Sequence, residues 1–413
     1  MHPSTTTHRA LLLIFSVLLI ASLLGVATQA AAQAGQLDPT FGQGGIVSTD
    51  LGGAATGNAM AIQTDGKIVV CGGFVVSGFL NAAISRFNTN GTLDTTFGSN
   101  GFTVVSGILN VSSSIALQTD GKIVVAGFAN QITVIRYNSN GTLDTTFGNG
   151  GVVNSGLILN RGTTSAVAVQ VDGKIVVAGG SVMLRLLSNG QFDPGFGDGH
   201  EAKLAGSTPT ALALLANGKI MVASSLFAIG GFVTRYNSNG TLDKSFGING
   251  QLATAGPANA LVLLADGKFL VGGNLTSSVS GPTTGFAVSR YFGVGTTDAT
   301  FATRGGVVTP IAGSPTIVTA GLAVESSGDI VALSTASANS ANYVFALARY
   351  NPGGQLDTTF GTNGIATTSF GTFVNATGVA IQADGKIVAV GNYETAIQHG
   401  VDYGFKLARY LVQ

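Results

Sequence analysis

Apolar residues fall along this chain in short runs closed by Gly-containing turns, with little sign of the three-and-four spacing of an amphipathic helix. Ile68-Val69-Val70, Ile123-Val124-Val125 and Ile175-Val176-Val177 each follow a Gly-Lys pair. Small/apolar stretches such as Ala59-Met60-Ala61-Ile62 precede them, and stretches ending in Arg-aromatic, such as Arg86-Phe87, come after. Each piece reads as a short strand. The consecutive apolar residues of the middle piece suit a strand covered on both faces.

These pieces repeat. A Gly-x-Leu-Asp-x-x-Phe-Gly string recurs around Asp38, Asp94, Asp144, Asp193, Asp243, Asp298 and Asp357, at intervals of 49 to 59 residues. With this string and the residues after it taken as strand d, each unit holds strands a, b, c and d. The reading is all-β: a seven-bladed β-propeller of four-stranded blades over residues 35–413. Asp65-Gly66, Asp120-Gly121, Asp172-Gly173, Asn217-Gly218, Asp266-Gly267 and Asp384-Gly385 supply tight a–b hairpins, and blade six departs with Ser327-Gly328-Asp329. The c–d links, such as Thr89-Asn90-Gly91, predict three-residue loops with Gly in the left-handed region.

That register sets Arg86 against Asp94. The same offset of eight gives Arg136/Asp144, Arg185/Asp193, Arg235/Asp243, Arg290/Asp298 and Arg349/Asp357, so one cross-strand ion pair is expected per blade. Arg409 lacks an Asp after it, and Asp38 lacks an Arg before it. The N-terminal segment is therefore expected to supply strand d of the last blade, with Arg409 meeting Asp38 and the ring closing without free sheet edges.

The string Gly-x-Leu-Asp-x-x-Phe-Gly, with Asp-Gly-Lys-Ile-Val-Val-Ala-Gly and Arg-Tyr-Asn, resembles the delta-60 repeat family of bacterial exported proteins and, more distantly, NHL-type propeller blades. The resemblance implies an exported propeller and supplies no functional residues.

Composition narrows the function. Met1 to Arg9 is polar and Ala10 to Val26 almost unbroken apolar, and Ala32-Gln33-Ala34 is a small-x-small cleavage site, so residues 1–34 read as a signal peptide. The expected destination is periplasm, cell surface or medium, with no membrane span after cleavage. Nineteen basic residues balance nineteen acidic ones, which disfavours nucleic acid as a partner. The lone Cys71 stands where other blades have Ala126 or Ala178, and reads as a small packed residue.

Once repeat residues are set aside, little chemistry is left. One Cys and two distant His, His200 and His399, do not make a zinc site, and no calcium loop, phosphate cradle or nucleophile elbow is present. No cofactor or metal is expected. His200 replaces the Gly of Gly45, Gly101 and Gly151 and reads as a drifted turn residue.

The b–c connections read as short loops in blades two and three, and as long loops in blades five (Asn274 to Thr284), six, seven (Asn392 to Tyr403) and one, where Phe74 and Leu80 are expected at the surface. Function on a rigid scaffold tends to sit on such loops. The blade-seven segment is the most polar, with Tyr393, Glu394, His399, Asp402 and Tyr403 as candidate ligand-binding residues. The residues favour a monomeric, non-catalytic binding or scaffolding module for a protein, glycan or surface component. The alternative is a propeller hydrolase or lyase with Glu394 and His399 as acid/base groups at the central opening.

Overall fold

The computed structural model describes residues 33–49, 51–107, 112–128, 131–157, 165–205, 208–226, 230–273, 285–311, 314, 317–339, 342–397 and 400–412. The expected signal segment, apart from Gln33 and Ala34, lies outside them, as do the blade-five connection and His399. Among the described residues no α-helix occurs, and none is therefore long and apolar enough to cross a membrane.

Seven four-stranded antiparallel sheets follow one another. In blade one, strands a to d are Ala55–Ile62, Ile68–Val76, Phe79–Phe87 and Phe102–Val105. The first strands of successive blades contact one another around a closed ring, so strand a is innermost. The last blade takes Phe373–Ile381, Ile387–Ile397 and Gly400–Tyr410 from the C-terminal end and Ile46–Ser48 from the N-terminal end, with Ile46 paired to Ala408 and Ser48 to Lys406. The ring thus closes as the unmatched Asp38 and Arg409 suggest.

Strand b is buried along its repeat positions because it lies between two neighbouring sheets. Val69, Cys71 and Ile84 of blade one pack against Ile123, Val125 and Ile135 of blade two, and similar clusters fill the other inter-blade spaces. Cys71 is fully buried there, and burial pushes its thiol up to about 12, as befits a packing residue.

Strand d needs a correction. The Leu-Asp-x-x-Phe-Gly string is an arch, not a strand: only its Leu bridges strand c (Leu93 to Phe87), and strand d starts after it, at Phe102 in blade one. The Asp carboxylate causes the arch. Asp94 Oδ1 accepts from the Thr96 amide at 3.2 Å and hydroxyl at 2.6 Å, a local bond that competes with ladder pairing.

The c–d loops adopt the anticipated geometry. The Gly91 amide donates to Asn88 O at 2.9 Å and Gly91 has φ +84°. A Cβ there would lie 2.7 to 3.0 Å from Val47 and Phe41 of the preceding blade, so glycine also permits blade contact.

Strand a carries a bulge in six blades, skipping Asn58, Ser113, Thr210, Asn259, Ala320 and Thr377. Several of these side chains join blades around the opening. Thr377 Oγ1 donates to Gly57 O at 2.7 Å, Asn58 Nδ2 donates to Ser112 O at 3.1 Å, and the Thr210 hydroxyl donates to Ala258 O.

Candidate functional site

The a–b turns and c–d loops crowd one face, and its charges form a seven-fold device. In every blade the Arg pairs with the Asp across the loop at 2.6 to 2.9 Å: Arg86/Asp94, Arg136/Asp144, Arg185/Asp193, Arg235/Asp243, Arg290/Asp298, Arg349/Asp357 and Arg409/Asp38. Sequence reasoning missed three further parts. Each guanidinium lies 4.4 to 4.8 Å over the buried Phe of the same arch, as Arg86 does over Phe97 and Arg409 over Phe41. The Nη1 group donates to a carbonyl of the next blade, as from Arg86 to Ser139 at 2.6 Å and from Arg290 to Pro352 at 2.5 Å. In six blades the turn Lys approaches the same carboxylate, at 2.8 Å for Lys67 and Asp94 and 3.2 Å for Lys386 and Asp38.

The signal was available: Phe stands three residues after each Asp in all seven blades, and Lys follows the turn Gly in six. Blade six has no turn Lys, and there Glu325 stands 3.7 Å from Arg349.

Six of these carboxylates are buried and Asp357 is half-buried, yet all stay ionised. Burial pushes the Asp38 carboxyl up, but hydrogen bonds from Thr40 and then Lys386, with the Arg409 charge, outweigh it and hold it at about 2. The other six Asp are held low in the same way. The device is fully occupied with joining blades. Clefts of about 600 Å³ on this face, between blades two and three and between three and four, are lined by the same residues, Lys122 and Arg136 or Lys174 and Arg185 among them.

The opposite face carries the b–c connections, and here the sequence reading changes. In blades one, six and seven the expected loops are strand: b and c run on to tight hairpins at Val76 and Phe79, Asn339 and Asn342, and Ile397 and Gly400. Strand b of blade seven has eleven residues, against five in blade three. Since these blades are neighbours, their extended hairpins form one crest on one side of the opening.

Four of the five expected binding residues, Tyr393, Glu394, Asp402 and Tyr403, fall on the crest's blade-seven hairpin, and His399 lies outside the described residues. Glu394 pairs with Tyr403 across the hairpin and with Phe373 on its other side, and all three are exposed. Tyr393 points to the other sheet face, where it packs over Gly404 with Lys406 Nζ 4.4 Å from its ring. Asp402 sits in the ladder opposite Thr395. Among the described residues no basic group lies within ion-pair distance of Glu394.

Blade six adds Tyr343, edge-on to Phe373 at 4.4 Å. In blade one the exposed aromatic is Phe79, with 61% of its surface accessible. Phe74 and Leu80 are half-buried instead, Phe74 against Phe102 at 5.4 Å and Leu80 over Gly73.

His200 sits at φ +79°, and its ring stacks on Phe192 at 4.6 Å. In blade one the equivalent Gly101 faces Leu93, whose Cγ would lie 2.4 Å from an added Cβ. A flat Phe ring in place of Leu leaves room for His. Left-handed strain of about 1–2 kcal/mol then opposes a stacking gain of about 0.5–1.5 kcal/mol. Replacing His200 by glycine is expected to leave stability unchanged within about 1 kcal/mol, measured by urea unfolding. A loss above about 2 kcal/mol would mean the imidazole does more than stack.

Six segments, residues 63–97, 118–147, 170–196, 215–246, 264–301 and 325–360, match the family described as "Domain of unknown function (DUF5122) beta-propeller". These matches support a β-propeller repeat family. Each matched segment opens near the a–b turn and ends in the next arch, so the matches cover the blade-joining device of blades one to six and leave blade seven, with its crest hairpin, outside. No curated protein matches the chain.

Solved structures similar to this propeller include a catalytically inactive virginiamycin B lyase from Staphylococcus aureus with quinupristin, at 13% identity over 88% of this chain and 98% of that one, with a TM-score of 0.49. A protein of unknown function from Dyadobacter fermentans matches at 9% identity over 89% and 100%, with a TM-score of 0.44. One from Bacteroides caccae matches at 15% over 60% and 81%, with a TM-score of 0.37. Among the described residues of this propeller no group of three His, Cys, Asp or Glu could hold a metal ion.

Proposed function

We propose that this propeller is exported and acts as a non-catalytic binding or scaffolding module, contacting a protein, glycan or surface component through the crest of blades six, seven and one. The observation that carries this is the exposure of Phe79, Phe373 and Tyr403, with the Glu394 carboxylate between the last two, on paired strands. Large aromatic groups held out on rigid hairpins add nothing to the core. They suit stacking on sugar rings or apolar side chains, with the carboxylate fixing orientation. Export rests on the apolar run Ala10 to Val26 and the Ala32-Gln33-Ala34 site, and the delta-60 character of the repeats fits that destination.

A glycan array and a pull-down from envelope extract test the reading. Replacing Phe79 and Tyr403 together by serine is expected to weaken capture at least ten-fold with the melting temperature unchanged. Equal capture by wild type, this variant and a protein with a shortened Asn392 to Tyr403 hairpin would remove the crest from consideration.

A further inference from the structure

Comparing the blades with one another exposes a second surface, on the hairpin face. The arch residue two places after the buried Phe is polar in six blades, at Gln43, Ser99, Asn149, Asp198, Thr303 and Thr362; in blade four it is Ile248, 83% exposed. The middle of the c–d loop is Asn90, Asn140, Asn189 and Asn239 in blades one to four. In blade five it is Val294, 59% exposed, with Phe292 two residues earlier where blades one, two, four and six have Asn. The two apolar sites meet across the blade boundary, because the Gly247 amide donates to Val294 O at 2.9 Å.

The exchange weakens the loop. Asn90 Oδ1 accepts from the Thr92 amide at 3.0 Å, a bond that Val294 has no atom to make. Fold alone gives no reason for the change.

Charge departs from the repeat in the same blades. In blades one and two the hairpin-face charges balance in number, with Asp65, Asp94, Asp120 and Asp144 against Lys67, Arg86, Lys122 and Arg136. From Thr208 to Pro310, blades four and five, the chain has six basic residues and three acidic ones. Asn217 replaces the turn Asp, and Lys244 and Arg304 are added on the arches. Both are exposed, and neither has an ion-pair partner among the described residues.

Arg304 is also held at an energetic cost. Its φ is +57° and that of Ala302 +45°, whereas the corresponding residues of the other blades are Gly or Asn at the Arg304 position and Gly at the Ala302 position. L-residues other than Asn and Asp rarely enter this region.

We infer that the hairpin face of blades four and five is a docking surface for an acidic protein segment carrying aliphatic or aromatic side chains. Ile248, Phe292 and Val294 receive the apolar groups, and Lys244 and Arg304 pair with the carboxylates. Complementarity sets the chemistry: a surplus of three cations in the two blades that carry the exposed apolar cluster selects a partner with the opposite charge and the same apolar character. The surface lies opposite the crest, so it stands whether or not the crest binds a ligand.

The test is a phage-displayed library of random twelve-residue peptides, panned on the immobilised protein. Enriched peptides are then synthesised and their binding measured by fluorescence anisotropy at low and high salt. Peptides rich in Asp or Glu with Leu or Phe are expected, binding at least ten-fold more weakly in high salt. Two variants carry residues that other blades already use, so both should fold, which thermal unfolding checks. Ile248→Ser/Phe292→Asn/Val294→Asn should bind these peptides at least ten-fold more weakly, and Lys244→Thr/Arg304→Asn at least three-fold more weakly. Enriched peptides without that composition, or unchanged binding by the first variant, would overturn the inference. So would sedimentation with phosphatidylglycerol vesicles in the absence of any peptide binding.

Discussion

Replacing Arg409 by methionine is expected to destabilise the protein by about 3–5 kcal/mol, the range for breaking a buried ion pair from one side. The Arg409 side chain is nearly buried, pairs with Asp38 at 2.9 Å, lies over Phe41 and donates to the Thr89 carbonyl of blade one. Methionine fills much of the volume but leaves the carboxylate and the carbonyl without that donor. Lys386, 3.2 Å from the carboxylate, remains and should keep the loss toward the lower end. Because Arg409 and Asp38 are 371 residues apart in sequence, their pair also holds the two ends of the chain in one blade. Changing Asp38 to leucine as well removes the stranded charge and should recover a substantial part of the loss. Urea unfolding of both variants checks this, and a double variant no better than the single one would show that charge burial is not the cause.

Acid is expected to unfold the protein between about pH 4 and pH 2, and the slope should be unusually steep. All seven arch Asp are held below the usual carboxylate range, so their stabilisation is complete above the unfolded value of about 3.9 and is lost as pH falls through the folded values. Glu325 runs the other way, because burial raises its carboxyl and the Asp329 and Asp357 charges add to this against the Arg349 charge. One group does not offset seven. Each proton taken up on unfolding contributes about 1.4 kcal/mol per pH unit, so seven together approach about 10 kcal/mol per unit. That rivals the whole stability of a typical domain, about 5–15 kcal/mol. Circular dichroism melts at half-unit steps from pH 6 to pH 2 would show a plateau followed by collapse. A melting temperature unchanged down to pH 2 would mean the carboxylates do not carry the ring.

The blade count, the hairpins and the Arg and Asp offset were legible because repetition supplies its own control: a residue kept at seven equivalent places marks a shared requirement. The Phe beneath each Arg was just as regular, but a buried Phe is also an ordinary core residue, so its spacing alone did not reveal the stacking. Strand d was misplaced because Leu-Asp-x-x-Phe looks like a strand start, while the Asp side chain captures the amide two residues on and bends the chain. The crest escaped notice for a different reason. Tyr393 to Ile397 and Gly400 to Tyr403 are rich in polar groups, and only their mutual backbone pairing, a contact between segments, makes them strand. His200 was visible as an exception, but its accommodation depends on Phe192, which no single position discloses.

The Arg-to-carbonyl bonds from each blade to the next have a further meaning once the ring is closed. In an open array of repeats, the end units have one neighbour each and fray first. Here blade seven is bonded to blade one as blade one is to blade two, through Arg409 to Thr89 as through Arg86 to Ser139. Every blade therefore has two neighbours. Unravelling has no terminal repeat from which to begin, and the seven units share one threshold of opening.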